Sequence, residues 1–142
     1  MNFLLDTDHV SIEQRPTGAG HARLLQQIAS HAGDKVFVSI ISFHEQTNGA
    51  GAHINKAKSA AELLRGYELM RSVLAAYQAI NVLDFDAASL TIADSLRRQH
   101  RRIGLMDLRI AAIALARGMT LLTRNRSDFG QIANLTIEDW TA

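Results

Sequence analysis

Short apolar runs of strand type alternate along this chain with longer segments whose apolar residues recur at helical spacing. The strand-like runs are at residues 3–5, 36–41, 80–83, 119–123 and 135–137. Helices are expected at about 21–31, 43–49, 55–77, 87–102 and 107–117. Because such alternation produces parallel strands joined by right-handed helical crossovers, the sequence predicts a three-layer α/β/α domain with a parallel sheet of about five strands.

Composition limits both the domain organisation and the chemistry. With 142 residues, 47% of them hydrophobic, the chain fits one compact domain, so we expect a single domain over residues 1–142. The absence of cysteine excludes disulfides, zinc–thiolate sites and cysteine nucleophiles, which leaves oxygen and imidazole ligands for any metal. No apolar run approaches the roughly 18 residues that span a bilayer, and no signal peptide is recognisable, so a cytoplasmic protein without membrane contact is expected.

Acidic residues follow three of the predicted strands and open one very apolar helix. In parallel α/β sheets the functional crevice lies beyond the carboxyl ends of the strands, so side chains at these junctions are expected to converge. Carboxylates gathered in this way repel one another unless a cation such as Mg²⁺ or Mn²⁺ neutralises them. The candidate metal ligands and catalytic residues are Asp6, Glu45, Asp107 and Asp128.

Each of these acids also has a purely local interpretation. Ser42 to Glu45 reads S-x-x-E, the pattern of a helix capping box, in which Glu45 would bond back to the Ser42 backbone. Asp107 and Asp128 fit helix N-caps, and Asp6 fits an Asx-turn. Taken singly, capping is the commoner role of such residues, but it does not explain why all four fall on the crevice side.

Four motifs built around these acids resemble a known family. LLDTD at 4–8, SIISFHE at 39–45, MDLRIAAIA at 106–114 and LLTRNRSDF at 121–129 are similar in order and spacing to the acidic motifs of PIN domains, in the VapC toxin branch. The last two motifs form the most specific pair. One departure is the polar, glycine-rich stretch at 47–51, which predicts that the helix after Glu45 is short.

The resemblance implies a Mg²⁺- or Mn²⁺-dependent endoribonuclease that is inhibited by a cognate VapB-like antitoxin and forms a homodimer. It also implies roles for individual residues. By position, the metal-holding acids are Asp6, Glu45, Asp107 and Asp128, and the supporting polar residues are Thr7 and Asn125.

Two other functions compete with this interpretation. The segment from Asp6 to Val10 also fits D-x-D-x-[TV], the motif of haloacid-dehalogenase-like phosphatases, with Asp6 as nucleophile and Asp8 as acid/base. That resemblance also requires a lysine near a later acidic pair, and the lysines are far from it: Lys35, Lys56 and Lys58. Asp8 therefore keeps at most a supporting role beside the metal. The second alternative is a catalytically silent module that binds RNA or docks an antitoxin, which the complete acid set disfavours.

Basic and apolar patterns suggest binding surfaces. The chain has three lysines but twelve arginines, and like charges crowd at Arg97, Arg98, Arg101 and Arg102. This cluster is either a solvated helix face, with Asp94 as an ion-pair partner, or a contact for RNA phosphates. For His9, His44 and His100 we expect packed or exposed side chains rather than general bases.

One helical segment carries a stripe of apolar residues. The segment 55–77 places Leu63, Tyr67, Met70, Leu74 and Tyr77 on one face, which serves either core packing or, with segment 21–31, an antitoxin groove.

Overall fold

The computed structural model of the protein describes residues 1–13 and 18–142, with the backbone alone for residues 12 and 13. Its strands are β1 (Asn2–Leu5), β2 (Lys35–Ser39), β3 (Val82–Leu83), β4 (Thr120–Leu122) and β5 (Ile137–Glu138). Its helices are α1 (Thr7–Glu13), α2 (Ala19–Ser30), α3 (Ile40–Asn55), α4 (Ala60–Gln78), α5 (Ala87–Gln99), α6 (Leu105–Arg117) and α7 (Arg126–Phe129).

The five strands form one sheet in the order β3-β2-β1-β4-β5, and every pairing is parallel. The predicted α/β fold with a parallel five-stranded sheet is therefore confirmed. From the central strand β1, the chain adds β2 and β3 on one side and then β4 and β5 on the other. The order reverses between β1 and β4, and this is the position where open α/β sheets form their ligand crevice.

Helices cover the two faces of the sheet, because successive strand side chains point to opposite sides. Leu4 and Leu121 belong to the core on one face, where α5 and α6 pack. Phe3, Leu5 and Leu122 belong to the core on the other face, together with residues of α2 and α4. The two cores place the carboxyl ends of β1 and β4 between helical layers, so residues that follow these strands are partly shielded from water.

Several predicted boundaries are wrong, and each has a local cause. The predicted strand 36–41 ends at Ser39, because the hydroxyl of Ser39 caps α3 by accepting the N–H of Ser42 at 3.1 Å. The helix after Glu45 is not short, since α3 continues to Asn55. The predicted helix 55–77 begins only at Ala60, where Ser59 is the N-cap. The predicted helix 87–102 ends at Gln99, and the short helices α1 and α7 were not predicted.

The described residues include no helix that combines the length and the apolar character needed to cross a membrane.

Candidate active site

Asp6 lies directly after β1, and its side chain is buried. Its Oδ1 accepts the backbone N–H of His9 at 3.1 Å, so it caps the first turn of α1. Its Oδ2 accepts the hydroxyl of Thr123, which follows β4. Burial, and then the neighbouring Asp8 carboxylate, raise the pKa of Asp6 to about 9. Asp6 is thus a local cap, as the Asx interpretation anticipated, and also bridges the two strands at the crevice.

Glu45 lies on α3 and is held from α1 rather than by its own helix. Its Oε1 accepts the hydroxyl of Thr7 at 2.7 Å, and the Thr7 hydroxyl lies 2.9 Å from the hydroxyl of Ser42. The capping box at Ser42 to Glu45 is therefore wrong, because Ser39 caps this helix. The Glu45 side chain is half-buried, and it does not cap its own helix.

Asp107 lies in the first turn of α6, whose N-cap is Gly104, so the expected capping role of Asp107 is also wrong. Its side chain is half-buried. Burial raises the pKa of Asp107 to about 6, with further increases from the charges of Glu45, Asp128 and Asp8. These interactions show that acids distant in sequence lie within electrostatic range of one another at this edge of the sheet.

Asp128 lies on the short helix α7, which is capped by Asn125 rather than by Asp128. The Asn125 side-chain oxygen accepts the Asp128 N–H at 3.2 Å, and its amide group donates to Asp128 Oδ2 at 3.0 Å. The backbone N–H of Asn125 in turn donates to the hydroxyl of Thr123 at 3.0 Å. Asn125 therefore fixes Asp128 relative to the same threonine that holds Asp6.

Asp8 and His9 are closer to this site than the sequence indicated. Asp6, Asp8 and His9 offer ligand atoms within 4.8 Å of one another, and no other group of potential metal ligands in the described ranges is as compact. Burial raises the pKa of Asp8, but hydrogen bonds with His9 and Asp6 outweigh it, and the net pKa is lowered. The sequence offered one signal for the placement of Asp8 and His9, which is that an acid comes directly after a strand. Such an acid caps a helix, and the residues of that helix's first turn then lie beside it.

The other candidate histidines and Lys35 do not belong to the acidic cluster. His44 is exposed although it precedes Glu45, and His100 lies beside the arginines rather than the carboxylates. Lys35 opens β2 and pairs with Asn2, at the end of the sheet opposite Asp6. This placement does not support the phosphatase alternative.

The four predicted arginines surround a cavity of about 600 Å³ at the turn between α5 and α6. Arg97 and Arg98 are on the last turn of α5, whereas Arg101 and Arg102 follow it. Leu105 and Leu108, which flank Asp107, also line this cavity. Within residues 1–13 and 18–142, none of the four guanidinium groups forms an ion pair, so the predicted pairing with Asp94 is absent.

The chemistry of the cluster fits a divalent cation with a preference for oxygen ligands. Carboxylates at Asp6, Asp8, Glu45, Asp107 and Asp128 supply such ligands. Burial and mutual repulsion raise the pKa of both Asp6 and Asp107, and a bound cation would relieve that repulsion. The acidic cluster is therefore consistent with metal binding.

Comparison with protein families gives a match to the PIN domain over residues 4–135. Among curated proteins, a tRNA(fMet)-specific endonuclease VapC of Shigella flexneri is 41% identical over 66 residues, which cover 44% of this chain and 50% of that protein. Ribonuclease VapC1 of Haemophilus influenzae strain R2866 is 28% identical, and the alignment covers 99% of both chains.

Two solved structures show the same fold over nearly the whole chain. VapBC-1 of nontypeable Haemophilus influenzae has a TM-score of 0.76 at 23% identity and covers 100% of both chains. VapBC2 of Rickettsia felis, bound to a DNA fragment from its promoter, has a TM-score of 0.72 at 24% identity and covers 99% of both chains.

Proposed function

The chain belongs to the PIN-domain family, and on that premise we propose that it is a metal-dependent endoribonuclease and the toxin of a toxin–antitoxin pair. The observation that carries the proposal is the convergence of carboxylates at the carboxyl edge of β1 and β4. There the hydroxyl of Thr123 bonds both to Asp6 and to the backbone of Asn125, which holds Asp128. The curated relatives that bear VapC names are ribonucleases or an endonuclease, which supports RNA as the substrate.

The metal is Mg²⁺ or Mn²⁺, and its ligands, direct or through water, are Asp6, Glu45, Asp107 and Asp128. When bound, the ion activates the attacking water and neutralises charge that develops on the phosphate. The protein supplies orientation: Thr123 and the His9 N–H hold Asp6, Thr7 holds Glu45, and Asn125 holds Asp128. Because these carboxylates are fixed before the substrate arrives, little reorganisation is needed during the reaction.

The direct test is cleavage of total RNA by the purified protein with Mg²⁺, Mn²⁺ or EDTA. Asp6→Asn keeps the size of the side chain but removes its charge, so we expect at least a roughly 100-fold loss of activity. Asp94→Asn is the matched control, because Asp94 is exposed and has no ion pair within the described part of the chain. Cleavage that survives EDTA, or a folded Asp6→Asn protein with full activity, would contradict the proposal.

The arginines at the α5–α6 turn bind RNA phosphates next to the acidic site. Their guanidinium groups are exposed, line one cavity and have no carboxylate partner among the described residues. Replacing Arg98 and Arg102 with glutamine should weaken RNA binding and reduce its salt dependence by up to about two phosphate contacts. Replacing the exposed Arg23 and Arg65 removes the same charge elsewhere and serves as the control. An unchanged affinity and salt slope in the first variant would make the cluster a solvated surface.

The antitoxin binds the groove between α3 and α4. This groove has a volume of about 320 Å³ and is lined mainly by apolar side chains: Phe43, Thr47, Tyr67, Met70, Arg71 and Leu74. The two similar solved structures are VapBC assemblies, which supports a partner of the VapB kind. An amphipathic segment would fill the groove, and an arginine from it would pair with the carboxylates of the acidic site.

Co-expression tests this partner. The chain expressed alone should arrest growth and cleave RNA, and the product of the neighbouring gene should abolish both effects. Equal growth with and without that neighbour would contradict the toxin assignment and leave the nuclease assignment standing. Fractionation of the expressing cells tests the cytoplasmic location, and light scattering by the purified protein tests the homodimer.

A further inference from the structure

His9 is a fully buried histidine that the proposed mechanism does not use as a side chain. It lies on α1, and its exposed fraction is 0%. Its backbone N–H donates to Asp6, and its ring nitrogen Nδ1 lies 2.9 Å from Asp8 Oδ1. One residue therefore contacts both carboxylates that follow β1.

The proton on the His9 ring can be assigned from the other end of the imidazole. The backbone N–H of Trp140 points at Nε2 at 3.1 Å, and because an amide N–H can only donate, Nε2 must be the acceptor. The proton of the neutral ring is then on Nδ1, which donates to Asp8. The Asp139 carboxylate is 3.6 Å from Nε2, and the same oxygen already accepts the N–H and the hydroxyl of Thr141.

The backbone of Trp140 is well placed to hold the histidine, because its side chain is firmly packed. The indole is buried and stacks on the ring of His31 with centroids 4.5 Å apart. The indole also packs against the ring of Phe3 on β1, with ring centroids 4.6 Å apart, and its Nε1 donates to Glu138. The C-terminal segment is thus anchored on the sheet, and its N–H fixes the tautomer of His9.

We propose that His9 is a positioning residue that holds the Asp8 carboxylate beside Asp6, and that it is not a metal ligand although its ring lies in the same cluster. The proposal rests on the proposed nuclease function. A histidine binds a metal through the lone pair of a ring nitrogen. Here Nδ1 carries the proton that it donates in the hydrogen bond to Asp8, and the lone pair of Nε2 accepts the N–H of Trp140. Asp8 is then a further acidic contributor to the site, and within the group of Asp6, Asp8 and His9 the cation is bound by carboxylate oxygens and not by the imidazole.

Two substitutions separate the two ends of the ring. Glutamine at this position keeps an acceptor where Nε2 was but loses the donor to Asp8, whereas asparagine keeps a donor near Nδ1 but loses the acceptor for Trp140. We expect His9→Gln to raise the Mn²⁺ concentration for half-maximal cleavage, and the Mn²⁺ dissociation constant by calorimetry, by about 10- to 100-fold. His9→Asn should keep a Mn²⁺ affinity close to that of the wild type and unfold at a lower temperature.

Asp8→Asn should reproduce the loss seen in His9→Gln, and the double variant should lose little more, because both changes remove one interaction. His53→Gln changes an exposed histidine and is the control. A two-bond ¹H–¹⁵N spectrum of the wild type distinguishes the two neutral tautomers directly. We expect the Nδ1–H form, retained when Mg²⁺ is added.

Any of the following results would overturn the proposal: an Nε2–H tautomer, a His9 nitrogen signal that shifts as a ligand on Mg²⁺ addition, or a folded His9→Gln protein with unchanged Mn²⁺ affinity. Loss of Mn²⁺ affinity in both His9 variants would likewise make the ring a ligand. These results are distinct from a failure of the proposed function, which would appear as wild-type protein that binds Mn²⁺ without cleaving RNA.

Discussion

The helices α6 and α4, which cover opposite faces of the sheet, differ in how much of their apolar surface the chain itself buries. On α6, the side chains of residues 110–114 are all fully buried, and Leu108 is nearly so. On α4, the buried residues are Gly66 and Tyr77, while Leu64 and Tyr67 are exposed by 65% and 58%. The apolar side chains of α6 therefore serve the core, whereas several of those on α4 remain exposed, next to the proposed antitoxin groove.

The largest expected difference between α6 and α4 is in the effect of substitutions on the stability of the protein. Ile113→Ala on α6 should reduce the free energy of unfolding by about 2–5 kcal/mol, because it leaves a cavity in a closely packed core. Leu64→Ala on α4 should change it by less than about 1 kcal/mol, since that side chain is mostly in solvent. Urea denaturation measures both, and equal losses would contradict the comparison.

The contact between α3 and α4 is tight at one glycine. A Cβ added at Gly66 would lie 2.6 Å from Ile54 Cγ1 and 3.1 Å from the Ile54 backbone, so Gly66→Ala should destabilise the protein by about 1–3 kcal/mol. Gly49 on α3 has nothing within 4 Å of such a Cβ, so Gly49→Ala should instead stabilise by up to about 1 kcal/mol. Opposite signs in thermal melts are expected, and destabilisation by both would weaken the packing argument.

The stability of the metal-free protein should depend on pH because of Asp107 on α6. The pKa of Asp107 is raised from 3.8 to about 6, so the folded state retains a proton that the unfolded state has lost. The stabilisation that this proton gives to the folded state is therefore complete below the pKa of Asp107 in the unfolded chain, and it is lost as the pH rises through about 6. Melting in EDTA should occur at a lower temperature at about pH 7 than at about pH 5, and Asp107→Asn should flatten this slope. Added Mn²⁺ should stabilise more at the higher pH, and a wild-type slope of the opposite sign would contradict the raised pKa.

The smallest effect on stability is expected in the α3–α4 groove itself. Tyr67→Ser and Leu74→Ser should change the free energy of unfolding by no more than about 0.5–1 kcal/mol, because both side chains are substantially exposed. They should nevertheless weaken antitoxin binding, whereas Leu90→Ser, an equally exposed change on α5, should not. Equal antitoxin affinity in all three variants, measured by calorimetry, would place the partner elsewhere.

The sequence predicted the number and type of strands because their apolar runs are short and bounded by polar or turn residues. Helix ends were harder. The pattern S-x-x-E occurs twice, at Ser42–Glu45 and Ser59–Glu62, and the local interpretation of Glu45 places a capping box at the first. In the structure Ser59 caps α4 and accepts the N–H of Glu62, whereas the first pattern lies one turn inside α3. A one-dimensional pattern does not show where the preceding strand stops pairing.

The sequence indicated a group of acids at strand ends, but it indicated only some of the residues that contact them. The family resemblance implied supporting roles for Thr7 and Asn125. In the structure, Thr7 bonds to Glu45 and Asn125 bonds to Asp128. The contact of His9 with Trp140 depends on residues 131 positions apart, and no local pattern encodes it. Contacts of this kind follow from the order of strands in the sheet, which alternation alone does not determine.

The central position of β1 has a consequence during synthesis on the ribosome. Asp6 leaves the ribosome well before its partner Thr123, which is 117 positions later. A nascent chain can pair β1 with β2 early, yet it cannot complete the carboxylate edge until β4 and α7 have emerged. The growing polypeptide therefore carries no assembled acidic site during the earlier part of its own translation, and the proposed inhibitor can be made in that interval.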